Sequence, residues 1–311
     1  MSEENVKLAS WQIGDIRVTR VQDCTRELDL TQMLIGASAE ALDELDWLRP
    51  DFLTPEGLGI SSYHSFVLDT PDMRVLVDTG WGDDKNIEPI TRFAHRKSGF
   101  LEKAEAAGFD RDSVDVVVCT HLHVDHVGFN TVLEDSSWVP TFPRARYIFV
   151  RHEFDAWKDR GELADDDWFG KLQSVVFRES VQPVVDAGQV ELVDLVDGEY
   201  EICDGVAFVS TPGHSPAHAS IRVRSGDAEA LILGDMAHHP SQLAHPDWGI
   251  SEDHDGELAA RTRWRIFADA ADRGVLLMGT HWPGRTAGHI VRDRDAFRLE
   301  RTPLSSGLAL S

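Results

Sequence analysis

A chain of 311 residues with 42% apolar and 27% charged residues has the balance of a globular protein and enough apolar material for one large α/β core. Thirty Lys and Arg stand against 54 Asp and Glu, a formal charge of −24. The acidity is spread along the chain, which disfavours nucleic acid, anionic membranes and polyanionic substrates as partners unless bound cations reverse the sign locally. Three scattered cysteines, Cys24, Cys119 and Cys203, give neither a disulfide framework nor a Cys-rich zinc site. No run approaches the roughly 18 apolar residues of a membrane span, and the acidic N-terminus lacks the apolar stretch of a secretory signal, so a cytoplasmic location is expected.

In chain order, residues 11–23 predict a short strand around "IRVTRV". An acidic helix is expected over 38–48, with Ser38 as its N-cap and Pro50 as its stop, followed by a Pro/Gly-marked loop over 50–62. Apolar strands of buried type are predicted in "MRVLVDTG" (73–80), "VDVVVCTH" (114–121), "VAFVSTPGH" (206–214), "ALILGD" (230–235) and "VLLMGTH" (275–281), each ending in a polar or glycine-bearing turn. Between them, 99–108 and 257–274 carry apolar residues at helical spacing and close on Gly108 and Gly274. Strands alternating with helices give the α/β class, and the absence of repeats or linkers predicts a single domain over 1–311.

His or Asp stands wherever one of these strands gives out, and the densest case is "VVVCTHLHVDHVG" (116–128). Imidazoles and a carboxylate crowded at the end of a buried strand need a partner, and a metal ion is the obvious one. His121 and His123 at i and i+2 point the same way in an extended segment, Asp125 and His126 follow on the turn, and Gly128 permits a close backbone path.

Together with "VDTG" (Asp78), "TPGH" (His214), "LGD" (Asp235) and "MGTH" (His281), this motif resembles the metallo-β-lactamase-fold hydrolases from about residue 60 to 290, in the family's order. The resemblance implies a four-layer αββα sandwich with a two-metal site at one edge of its two sheets. On that template His121, His123 and His214 bind one metal, Asp125, His126 and His281 the other, and Asp235 bridges both. Five imidazoles and two carboxylates suit Zn²⁺, with Fe, Mn and Co also compatible. Two such ions roughly 3.5–4 Å apart can hold a bridging hydroxide, Asp125 has a further role in orienting the nucleophile or carrying a proton, and Asp78 resembles the family's aspartate that hydrogen-bonds a ligand imidazole. Residues 1–60 lie outside the motifs, an N-terminal extension read either as a cap over the site or as part of a homodimer interface.

Other histidines carry blander readings. His218 is expected beside the site or in a turn, not as a ligand. His238 stands three residues past Asp235, where the family's acyl-homoserine lactone lactonases have a tyrosine. "GDMAHHPSQ" (234–242) instead resembles the branch that includes methyl-parathion-type hydrolases, which makes His238 a candidate for substrate contact. Among the nine tryptophans, Trp81, Trp138, Trp157, Trp168, Trp248 and Trp282 lie in or near expected loops as candidates for the wall of an apolar pocket, with Trp282, next to His281, the first of them.

The leading expectation is a dinuclear metallohydrolase that opens a small, neutral, partly apolar ester, first of all a lactone. Phosphotriester hydrolysis is the alternative within the class. A metal-stabilised binding protein without turnover is the alternative outside it.

Overall fold

The computed structural model describes residues 9–163, 168–284 and 286–300. Strands β1 (Ser10–Ile13), β2 (Ile16–Leu28), β3 (Gly59–Asp69), β4 (Arg74–Val77) and β5 (Val116–Val118) are neighbours in chain order. A separate hairpin, β6 (Thr131–Glu134) and β7 (Ser137–Pro140), intervenes before β8 (Arg146–Val150) and β9 (Val190–Val193) complete this seven-stranded sheet. The second sheet has six strands, again in chain order: β10 (Glu199–Cys203), β11 (Val206–Ser210), β12 (Ala219–Ser225), β13 (Ala228–Ile232), β14 (Leu276–Met278) and β15 (Ala287–Gly288). A hairpin of β16 (Ile290–Asp293) and β17 (Ala296–Leu299) follows.

The pairs β4/β5, β5/β8, β8/β9 and β13/β14 are parallel, so each needs a crossover. Helices Phe100–Ala106, Arg151–Leu163 and Gly256–Arg273 serve three of them. The last helix begins where Asp255 accepts a hydrogen bond from the Leu258 N–H (2.9 Å) and ends at Gly274 with φ of 70°, a start and stop legible in the sequence.

Side-chain alternation along the strands builds the layers. Val116, Val118, Phe66, Val77, Ile232 and Met278 fill the core between the sheets. Their chain neighbours point outward: Val117, Val67 and Leu76 meet Phe100, Phe154 and Leu172 of the helices on one side, while Leu231 and Leu277 meet Ile266, Phe267 and Ala270 on the other. Helix, sheet, sheet, helix is the expected four-layer sandwich.

Local boundaries differ from expectation. The strand expected over 11–23 is two strands, β1 and β2, and β2 runs on to Leu28 because it is paired with β3 from Arg17 to Leu28. The loop after Pro50 ends at Gly59, where β3 begins. The helix expected over 38–48 is helical only at Ala39–Asp43, with Ser38 Oγ accepting from the Ala41 N–H (3.2 Å), and a separate 3-10 turn covers Asp46–Leu48. Within the N-terminal region, β1 and β2 extend the first sheet, and Leu30, Leu34, Leu48 and Phe52 pack into the outer core with Trp248 and Phe267. Residues 1–8 lie outside the described residues. Among the described residues no helix is long and apolar enough to cross a membrane.

The strand ends β4, β5, β11, β13 and β14 meet at one edge of the sandwich. Asp78, His121–His126, His214, Asp235 and His281 all follow these ends.

Candidate metal centre

The buried strand Val116–Val118 carries the chain to the edge, residues 119–123 continue irregularly, and one helical turn, Val124–Val127, follows with His123 at its N-cap. That turn stays close to the loop after β4. A Cβ on Gly128 would stand 2.0 Å from the Trp81 carbonyl carbon, so only glycine fits there. At the end of β13 Gly234 adopts φ of +59°, and a Cβ there would stand 2.4 Å from His218 Nε2. Glycine at 234 therefore lets the backbone of Asp235 come within 2.9 Å of that nitrogen, to which the Asp235 N–H donates.

Among the described residues two main groups of donors result, His121 with His123 and His214, and Asp125 with His126, Asp235 and His281, and a third, His214 with Asp235 and His238, overlaps both; within each the ligand atoms lie within 4.8 Å of one another. Asp235 stands between them. Its Oδ2 faces His121 Nε2 at 3.9 Å and His214 Nε2 at 3.5 Å, while its Oδ1 faces His126 Nε2 at 3.1 Å and His281 Nε2 at 2.9 Å. Asp125 completes the second group at 3.7 Å from His126 Nε2 and 3.6 Å from His281 Nε2. Its side chain is 14% exposed, whereas the other six donors are buried.

The outer nitrogens of the rings are fixed from behind. Asp78 Oδ2 accepts from His126 Nδ1–H at 2.9 Å, and Asp253 Oδ1 accepts from His214 Nδ1–H at 3.0 Å. The Ser62 carbonyl accepts from His281 Nδ1–H at 3.2 Å, and Thr120 Oγ, itself donating to Asp78, accepts from His121 Nδ1–H at 3.1 Å. Each of these bonds places the proton on Nδ1 and leaves the Nε2 lone pair turned inward.

The inward atoms fit a divalent metal centre. His121 Nε2 is buried without a hydrogen-bond partner, and His126 Nε2 and Asp235 Oδ1, although 3.1 Å apart, form no hydrogen bond, an arrangement that costs free energy unless something else satisfies them. His214 Nε2 and His123 Nδ1 face one another at 3.0 Å, as two donors sharing an ion would. Nitrogen and carboxylate donors of this kind suit Zn²⁺ and its neighbours.

The two groups differ in charge. Burial draws His121, His123 and His214 well below the ordinary imidazole range, so they are neutral. Burial also acts against charge on His126, but Asp235, Asp78 and Asp125 together outweigh it and hold its pKa well above the ordinary value. His281 is raised in the same way, chiefly by Asp235 against burial. Holding a cation in the second group therefore requires its imidazoles to give up protons.

Residues 58–281 match the family model of the metallo-β-lactamase superfamily. The chain belongs to that superfamily. It is 24% identical over 192 residues to the N-acyl homoserine lactonase of Bacillus thuringiensis, a match covering 58% of this chain and 66% of that one, so it spans just under two thirds of that relative's length. Two solved structures share the fold across 96% of this chain and 98% of theirs, each with a TM-score of 0.77. They are the hydrolase AbOPH of the β-lactamase superfamily, 21% identical, and AidC, a dizinc quorum-quenching lactonase, 20% identical.

Within this metallo-β-lactamase sandwich all seven residues read as ligands from the sequence come together, and Asp78 stands behind His126. His218 is fully buried, its Nδ1 against Thr211 and its Nε2 accepting from Asp235 N–H, and burial lowers its pKa to about 4. His238 lies beside the cluster, with Nε2 3.1 Å from Asp235 Oδ2, its ring parallel to that of His281 and its Nδ1 buried without a partner.

Trp282 departs from expectation. The turn after His281 folds its ring over Gly279 into the outer core, where it is fully buried. The pocket wall is built instead by Trp157, Trp168 and Phe169, which with His123, His214 and residues 251–254 line a cavity of about 290 Å³. Sequence reasoning also missed Asp253. It lies in an acidic loop (251–255) with no spacing relative to His214 that marks it as that ring's partner.

Proposed function

We propose that this chain is a metal-dependent hydrolase that opens a small neutral ester, first of all a lactone. The observation that carries the reading is the convergence of two donor groups on opposite oxygens of one buried carboxylate, Asp235. His121, His123 and His214 would hold one divalent ion, Asp125, His126 and His281 a second, with Asp235 shared between them. Ions held there would supply Lewis acidity and bring the pKa of water towards 7.

The chain's own residues do the rest. Asp125, the one partly exposed donor of the seven, would orient the nucleophile and pass a proton to the leaving oxygen. His238 presents a buried ring edge next to Asp235 and would contact the substrate at the reacting group. Trp157, Trp168 and Phe169 cover an apolar arm and exclude water from that side. Glu252 and Asp253 line the same cavity, and with a chain charge of −24 they disfavour anionic substrates.

Phosphotriester hydrolysis is a second reading, favoured by the imidazole of His238 beside Asp235 where the family's lactonases carry a phenol. Both readings are tested on one metal-loaded sample by comparing kcat/KM for acyl-homoserine lactones, aryl esters and a paraoxon-like phosphotriester. The expected result is highest kcat/KM on a lactone. A sample that holds metal yet leaves every member of the panel intact would sink both.

A further inference from the structure

Glu153 lies in the first turn of helix Arg151–Leu163 and is 1% exposed, outside the donor groups described above. Its Oε1 accepts from the Leu122 N–H (3.3 Å) and from Trp157 Nε1–H (2.6 Å), and its Oε2 accepts from Ser215 Oγ–H (2.8 Å) and the Ala217 N–H (2.9 Å). Three of the four partners are N–H groups that can only donate, and Ser215 Oγ can donate or accept, so the two carboxyl oxygens satisfy all four, while burial raises the pKa of Glu153 against these bonds.

The identity of the partners matters more than their number. Leu122 lies between His121 and His123, and its carbonyl is held from the other side by Gln173 Nε2 (3.1 Å). Ser215 follows His214 directly, and the Trp157 ring packs edge-on to His123 at 5.1 Å. One buried carboxylate thus joins two segments of chain that meet at the site from 91 residues apart, and between them they carry all three imidazoles of the first donor group. His126 and His281 are held from behind by other partners, Asp78 and the Ser62 carbonyl.

We propose that Glu153 is a positioning residue that sets the distance between the His121/His123 segment and the His214 turn, so that metal affinity of this one group depends on it. This rests on the reading of the three histidines as ligands. Residues that orient ligands from behind typically change metal affinity by 10–100-fold. A carboxylate that merely stabilised the core would weaken both groups alike or neither.

The test is titration of metal-free protein with Zn²⁺ against a chromophoric chelator, for the wild type and E153Q. In either orientation the amide sets its N–H₂ against an N–H that only donates, Ala217 on one side or Leu122 and Trp157 on the other. The wild type is expected to bind two ions. E153Q is expected to bind one with wild-type affinity and the other at least tenfold more weakly, and turnover lost at stoichiometric metal should return in metal excess. Adding His123→Ala to E153Q should remove the same weakened ion and no other.

S215A deletes a single donor to Oε2 and should weaken the same ion to a smaller extent, so it carries the test if E153Q does not fold. Unchanged affinities in folded E153Q, or equal weakening of both ions, would overturn the proposal. A wild type that binds fewer than two ions would instead overturn the underlying assignment, and this proposal with it.

Discussion

Asp253 and Asp78 each accept a hydrogen bond from the Nδ1–H of an imidazole whose Nε2 faces the centre of the cluster. A carboxylate in that position fixes the tautomer and raises the basicity of the inward nitrogen. Asp253→Ala is therefore expected to weaken metal binding by about 10–100-fold while leaving the fold intact, read by competition with a chelator. Unaltered affinity would show that His214 needs no such partner. Asp125→Asn should lower turnover by at least about 100-fold with little change in the melting temperature of metal-free protein, since this carboxylate is partly exposed. A binding protein without catalysis has no such rate to lose.

The seven donors could be read from the sequence because each sits where an apolar strand stops, and one strand end alone supplies four of them. Asp253 and Glu153 could not, since they come from a loop and a helix that only the folded chain brings to the site. Trp282 misled for a related reason: adjacency to His281 in sequence says nothing about which way a turn sends the next side chain.

Among the elements, the turn after β13 is tightly constrained. Gly234→Ala asks an L-residue to hold φ of +59° with its Cβ pressed on His218, which predicts a loss of about 1–3 kcal/mol in urea unfolding and a displaced Asp235. His239 ties this region to the N-terminal segment. Its Nε2–H donates to the Phe52 carbonyl at 3.1 Å, and its Nδ1 accepts from the Ser241 N–H at 3.1 Å.

Burial lowers the pKa of His239 to about 4 from 6.5, against the pull of the Phe52 carbonyl. Between those values the unfolded chain binds the proton that the folded chain refuses, so the contribution of His239 is present above pH 6.5 and is lost as pH falls towards 4. A variant His239→Gln should unfold with a shallower dependence on pH across that window. An identical slope would contradict the assignment of a neutral buried ring.

Strand identity was legible at this scale because alternation and apolar runs mark it. Extent was not: β2 is thirteen residues long because pairing with β3 and β1 holds polar positions that carry no strand signal of their own.

At the scale of the molecule, two sheets and their flanking helices bring five strand ends to one edge, and the cost of burying so many imidazoles there is offset only if something binds them. Metal that binds the folded chain alone stabilises it by mass action, so chelation is expected to lower the melting temperature. An unchanged melting curve in protein shown to have lost its metal would remove that link.

The most direct test of the whole account is elemental analysis of protein purified without chelator, with lactone, aryl-ester and phosphotriester turnover measured on the same sample. The account predicts two divalent ions per chain and turnover of a neutral ester, lactones first. One ion or none after metal loading would contradict the reading of Asp235 as a carboxylate shared between two ions.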